Sequence, residues 1–240
     1  MKKLMTTALA ALGAAFFSAA TSAAVATPSI VINGGDITGS LCGSGGLVCR
    51  GTNFTGDGYF LNSWDVVFNP DPSITGTFTL TNLSTSTQTF IPTVTLPILS
   101  INAPVSIDGF IGAGTLTDVN GGGATLTDDG SSIYSAMIDQ PLIPVHTLLD
   151  PNQSFTAIPT ASGGPGTAPI PKASFGPDVL AQSANSFIQE KIQFTLTGGD
   201  EVFLPTFFEV LPATVPEPAT LALLGIGLAG LGFSRRRKLH

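Results

Sequence analysis

Positive charge is scarce in this 240-residue chain: nine Lys and Arg stand against sixteen Asp and Glu. Six of those nine sit at the extremes, as Lys2, Lys3, Arg235, Arg236, Arg237 and Lys238. Only Arg50, Lys172 and Lys191 remain between them, against all sixteen acids, so the body carries a net charge near −13. Such a surface repels phosphate backbones and excludes nucleic acid as a partner. Histidine is scarcer still, with only His146 and His240. Nucleophilic catalysis normally needs a base beside the nucleophile, and His146, in the strand-like run Val145 to Leu149, is the body's single candidate. No Gly-x-Ser-x-Gly elbow occurs.

Cysteine is limited to Cys42 and Cys49, which enclose the glycine-rich "GSGGLV". The pair is not Cys-x-x-Cys and has no histidine near it, so a structural disulfide is expected rather than a metal or redox site. Long apolar runs are also missing. The two longest lie at the ends, and both are shorter than the ~20 residues of a full membrane span.

The N-terminal run has the parts of a secretory signal. Lys2 and Lys3 precede the apolar stretch Leu4 to Phe17, and small residues lead to Ala24-Val25-Ala26, an Ala-x-Ala cleavage pattern. Residues 1–26 are therefore assigned to a signal peptide, with export to an oxidising compartment where a disulfide persists.

Between the ends, apolar and polar residues alternate with a period of two. In "GTFTLTNL" (Gly76 to Leu83) Phe78 and Leu80 alternate with threonines, and in "TFIPTVTLPI" (Thr89 to Ile98) Val94 and Leu96 do the same. With "STST" as the turn, these predict a hairpin. Ile192, Phe194 and Leu196, the turn Gly198-Gly199-Asp200, and then Val202, Leu204, Phe208 and Val210 predict a second. Further strands are expected over 59–68, 105–111, 123–127, 133–138 and 145–149. A short helix is expected near Leu180, Ala184, Phe187 and Ile188, and a long exposed loop over the Pro/Gly-rich residues 158–177. The expected fold is all-β: one antiparallel β-sandwich over residues 27–212, Ig-like or jelly-roll-like, flanked by the N-terminal signal helix and a C-terminal apolar helix.

Candidate chemistry is thin. Asp118, Asp128, Asp129, Asp139 and Asp150 could supply a glycosidase-like pair, but Asp is also a turn residue. "DVNGGGATLTDD" (Asp118 to Asp129) partly matches a calcium loop through Asp118, Asn120 and Gly123, while Gly122 fails at position five. Trp64, Tyr59 and Tyr134 could stack on sugars, though core packing suits Trp64 amid Val66, Val67 and Phe68. Asn53, Asn82 and Asn152 head glycosylation-type triplets. "GIGLAG" (Gly225 to Gly230) has the dinucleotide spacing, but no acid about 20 residues on follows it. No catalytic residue, metal site or cofactor is assigned.

The tail carries the clearest pattern. Val215, Pro216, Glu217 and Pro218 precede an apolar segment over 219–233, which ends at the cluster Arg235, Arg236, Arg237 and Lys238. Positive residues stay on the cytoplasmic side, so such a tail halts an exported chain with its body outside. Pro216 and Pro218 hold the step extended and present Glu217 just outside the membrane. "VPEPATLALLGIGLAGLGFSRRRK" resembles the PEP-CTERM sorting signal of Gram-negative bacteria, and residues 213–240 are assigned to it. The resemblance implies recognition of Pro216, Glu217 and Pro218 by an exosortase, transient anchoring in the inner membrane, and delivery to the cell surface or an exopolysaccharide matrix. It implies a destination rather than an activity. A non-enzymatic surface or matrix protein is the expected role, with a carbohydrate- or calcium-binding module and a glycan-active hydrolase as alternatives.

Overall fold

The computed structural model describes residues 27–42 and 46–213. The signal peptide and the apolar tail, with the helices expected there, lie outside the described residues. In chain order come β1 (Ser29–Ile32), β2 (Gly35–Asp36), the single helical turn α1 (Thr38–Leu41), β3 (Val48–Thr55), β4 (Tyr59–Asn69) and β5 (Ser73–Asn82). Next are β6 (Gln88–Phe90), β7 (Pro92–Pro97), β8 (Val105–Ile111), β9 (Gly114–Thr117), β10 (Ala124–Thr127), β11 (Tyr134–Ile138) and β12 (His146–Leu148). The last are β13 (Ser154–Ala157), β14 (Thr167–Ile170), β15 (Ala173–Leu180), β16 (Phe187–Ile192), β17 (Phe194–Leu196) and β18 (Glu201–Pro212).

Many of these are halves of one longer strand. β6 and β7 are split at Ile91, β16 and β17 at Gln193, β8 and β9 at Gly112-Ala113, and β14 and β15 at Pro171-Lys172. Joined in this way, the strands make two antiparallel sheets. One runs β12/β13, β11/β10, β16/β17, β7/β6, β1, β2; the other runs β15/β14, β8/β9, β18, β5, β4, β3. From β5 onward the chain crosses between sheets at almost every step, which is the jelly-roll arrangement of a sandwich. The all-β antiparallel expectation holds.

Both expected hairpins are instead crossings from one sheet to the other. β5 pairs with β4 and β18, whereas β6 and β7 pair with β17, β16 and β1. Likewise β17 pairs with β10 and β6, and β18 with β5, β8 and β9. Alternation marks a strand's two faces but not its neighbour, so adjacency in sequence suggested the wrong partner. The helix expected around Leu180–Ile188 is replaced by the end of β15, a loop and the start of β16. Leu180 ends β15, Ala184 lies in the loop, and Phe187 and Ile188 start β16, so the helical period is a coincidence. The loop expected over 158–177 contains β14 and most of β15. Prolines are tolerated there because both strands pair on one side only, and Pro177 lies in the register shift between Phe175 and Asp178.

The core fills the space between the sheets. Leu61, Phe78, Leu80 and Phe208 from one sheet meet Ile30, Val94, Ile188 and Phe194 from the other, all buried. The apolar void left between them, lined by Leu61, Phe78, Ile192 and Phe194 among others, is about 10 Å³. Its apolar lining offers a water no hydrogen-bond partner, so this void is dry. Pro205 sits inside the central strand β18, where the neighbouring strand breaks: its carbonyl accepts from Gly112 N, and the missing donor faces that same gap.

Candidate functional site

The residues proposed above for chemistry are mostly committed to structure. Asp118 is buried; its Oδ1 accepts from Gly121 N at 2.7 Å, and its Oδ2 has no hydrogen-bond partner. Asn120 donates to Gly198 O and accepts from Gly122 N. Asp129, at the other end of the expected calcium loop, accepts from Ser131 Oγ and Gln193 Nε2. The Ser131 hydroxyl is the main cause holding its carboxyl below the usual range. Between them β10 runs as a strand paired with β13 and β17, so the stretch does not close as a calcium loop. Among the described residues, no group of three His, Cys, Asp or Glu could hold a metal.

The other carboxylates tie loops. Asp128 accepts from Gly130 N and Gln153 N, at 2.8 and 2.6 Å. Asp139 accepts from the backbone N–H groups of Asn185, Ser186 and Phe187. Asp150 accepts from Ser132 and Thr147 hydroxyls. These are turn and capping roles.

His146 stacks on Phe175 with centroids 4.2 Å apart and 8° between planes. Its Nδ1 lies 3.0 Å from Thr147 O and its Nε2 3.6 Å from Asp178 Oδ2. It thus serves as a packed cover on the core edge. Tyr59, Trp64 and Tyr134 are buried and not available as sugar platforms; Trp64 Nε1 donates to Leu41 O. Of the glycosylation-type triplets, Asn82 is fully buried, which rules it out as an acceptor. Cys42 and Cys49 form the expected disulfide, closing the segment between α1 and β3.

Two features stand outside the residues named from the sequence. The first is Glu190, wholly buried between the sheets on β16, with Tyr134 Oη 3.2 Å from Oε1 and Thr206 Oγ1 3.0 Å from Oε2. Burial pushes its carboxyl up to about 8, opposed by the bonds from Thr206 and Tyr134. Burial chiefly, with the charge of Glu190, also pushes Tyr134 well above its ordinary range. The inward register Ile188, Glu190, Ile192 was the available signal. The second is the outer face of the larger sheet, where Phe110 and Phe207 stack at 5.8 Å with Lys172 Nζ 4.3 Å from the Phe110 ring.

The C-terminal geometry matters most. β18 ends at Pro212, and Ala213 N donates to Pro104 O at 3.0 Å. Only Thr214 and Val215 then separate the body from Pro216. Among the described residues no helix is long and apolar enough to cross a membrane; Val215, Pro216, Glu217, Pro218 and the basic cluster lie outside them.

No curated protein matches the chain. One family model does match: the PEP-CTERM protein-sorting motif, over residues 214–238. The match begins two residues past the end of β18 and takes in the Pro-Glu-Pro step at 216–218. Behind its all-β body the chain thus carries a C-terminal PEP-CTERM protein-sorting motif, consistent with an exosortase substrate.

Proposed function

We propose that this protein is a non-enzymatic component of the cell surface or exopolysaccharide matrix. Its sandwich body is the cargo, and residues 214–238 are the delivery device. The observation that carries the proposal is how the body's polar groups are used. The lone histidine is packed against Phe175, and the paired carboxylates cap loops. Glu190 is sealed in the core. A hydrolytic site needs two carboxylates open to a cleft, one as acid and one as base or nucleophile. The carboxylates Asp128, Asp139 and Asp150 are each held instead by loop hydrogen bonds.

Glu217, between Pro216 and Pro218, is the handle of the delivery device. Cells producing Glu217→Gln protein should retain it in the inner membrane with its tail intact, while wild-type protein appears in the surface or matrix fraction. Equal release of both forms, or release from cells lacking the exosortase, would defeat this proposal.

A carbohydrate-binding role is the second reading. It draws on Phe110, Phe207 and Phe203, which share the outer face of the larger sheet with a ladder of Thr75, Thr77, Thr79 and Thr81. Aromatic faces flanked by hydroxyls suit sugar rings. Retention of full-length protein on purified matrix polysaccharide, and its loss in Phe207→Ala, would support it; equal retention of both would not.

A further inference from the structure

We propose that one pole of the sandwich is a lipid-facing surface, resting on the headgroups of the membrane while the tail is still attached. This rests on the sorting reading of residues 214–238, and concerns how the body is held there.

The length of chain beyond the sandwich sets the geometry. Ala213 is tied to Pro104, and the apolar segment starts at Ala219. The six residue steps between them span at most about 20 Å even when fully extended. The polar layer on one side of a bilayer takes up roughly 5–8 Å of that. The pole where β18 ends therefore stays close to the headgroups, and its surface is what the membrane meets.

That pole is unusually apolar for so acidic a body. The end of β18 pairs Leu211 with Ser106, and Ser106 pairs with Val179 on β15. The turn after β7 lies at the same end, with Ile98 N donating to Ser186 O and Ile101 bridged to Ala184. So does the tip of the β11–β12 hairpin, because Ile138 pairs with Ile188 and Val145 N donates to Ala136 O. The exposed large apolar side chains here are Leu142 (89%), Leu99 (81%), Val179 (66%), Ile143 (63%) and Leu211 (39%). Among the described residues, half of the ten exposed large hydrophobic side chains thus share one end, and such clustering marks an interaction site.

Charge points the same way. Residues 97–107, 140–146, 179–189 and 210–213 hold no Asp, Glu, Lys or Arg. Of the carboxylates at this end, Asp139 is enclosed by three backbone donors, Asp178 lies 3.6 Å from His146 Nε2, Asp108 and Glu209 face each other across β8 and β18, and Asp71 stands in the turn before β5. The apolar side chains of these charge-free stretches can enter the interfacial layer, where each buried group adds to a contact the tail already enforces.

The test uses the full chain reconstituted into vesicles of phosphatidylethanolamine and phosphatidylglycerol, some lipids bearing a nitroxide at the headgroup. One fluorophore is attached at Leu142→Cys, or at Thr87→Cys on the opposite pole. β18 alone, twelve residues long, spans about 40 Å at ~3.3 Å per residue, so a label at position 87 stands clear of the lipid. Several-fold stronger quenching at 142 than at 87 is expected, and it should fall towards the level at 87 when Ile143 and Val179 are also replaced by Asp. Both positions are exposed, so these changes spare the core. Equal quenching at the two poles, or unchanged quenching in the Asp variant, overturns the proposal while the sorting reading stands. If the protein does not float with the vesicles at all, the tail reading fails and the proposal with it.

Discussion

Thr206 and Glu190, on facing sheets, meet in the buried interior, with Oγ1 3.0 Å from Oε2. The other carboxyl oxygen faces Tyr134 Oη at 3.2 Å, and that same hydroxyl lies 3.2 Å from Phe207 O. Tyrosine has one proton and cannot donate to both acceptors. A protonated Glu190 resolves this, donating to the tyrosine oxygen while the tyrosine donates to Phe207 O. The geometry and the raised pKa therefore agree on a neutral acid bridging the sheets.

Linkage then sets a pH dependence. With a folded pKa of about 8 against an ordinary 4.5, the native state holds a proton that the unfolded chain releases. Where the native state binds more protons, stability falls as pH rises. The contribution is complete below about pH 4.5, declines up to about 8, and is flat beyond, with a total on the order of a few kcal/mol. Glu190→Gln, which keeps an acceptor and a donor, should remove this slope. Thermal melts from pH 4 to 9 should show wild type losing stability relative to the variant across that window. Parallel profiles would sink the assignment.

Asn82 joins the two sheet-to-sheet crossings. Its Nδ2 lies 3.0 Å from Ser86 O, 2.9 Å from Leu196 O and 3.2 Å from Thr197 O, while Oδ1 accepts from Ser84 N. Backbone bonds to Asp200 O and from Gly199 N complete the knot. Removing the amide leaves buried carbonyls without donors, a cost of about 1–3 kcal/mol. Asn82→Asp, which aims a carboxylate at three carbonyl oxygens, should cost more than Asn82→Ala. Urea midpoints at pH 7 would check the order; a milder effect for Asp would contradict it.

This knot also shows what was legible beforehand. The alternations around Phe78, Val94 and Leu204 marked real strands, because one face of each is buried in the core. Partner choice was not legible: Asn82 and Leu196 meet across more than a hundred residues of chain, and no local pattern encodes that contact. β14 was hidden because an edge strand tolerates Pro169, and Glu190 because it stood beside a stretch whose spacing mimicked a helix. The tail was legible for the opposite reason. A Pro-Glu-Pro step, an apolar run and a basic cluster are read in order along the chain and need no tertiary partner.

The Cys42–Cys49 bond closes a short loop under Trp64, whose indole donates to Leu41 O at 3.2 Å. Loops this short gain about 2 kcal/mol in the chain-entropy model. Replacing both cysteines by serine should lower stability by about that amount and leave the sheets intact. Denaturant titrations of the two proteins, with unchanged far-ultraviolet circular dichroism, would verify it. Equal midpoints would show that the surrounding packing alone fixes the segment.

Gly109 explains how the lone body histidine comes to be structural. It points inward from β8, and a Cβ added there would lie 2.7 Å from Phe175 Cε1 and 2.8 Å from Phe207 O. The absent side chain is the space into which the Phe175 ring folds, and His146 stacks on that ring from the edge strand β12. Gly109→Ala should displace Phe175, costing about 1–3 kcal/mol through overpacking, and should release His146 from its stack. His146→Phe, which preserves a flat ring at that place, should stay near wild-type stability. The ring-proton shifts of His146 report the stack directly: Gly109→Ala should move them towards solvent-exposed values. Unmoved shifts, with stability unchanged, would mean that Phe175 has another place to go and that the glycine is not what seats the histidine.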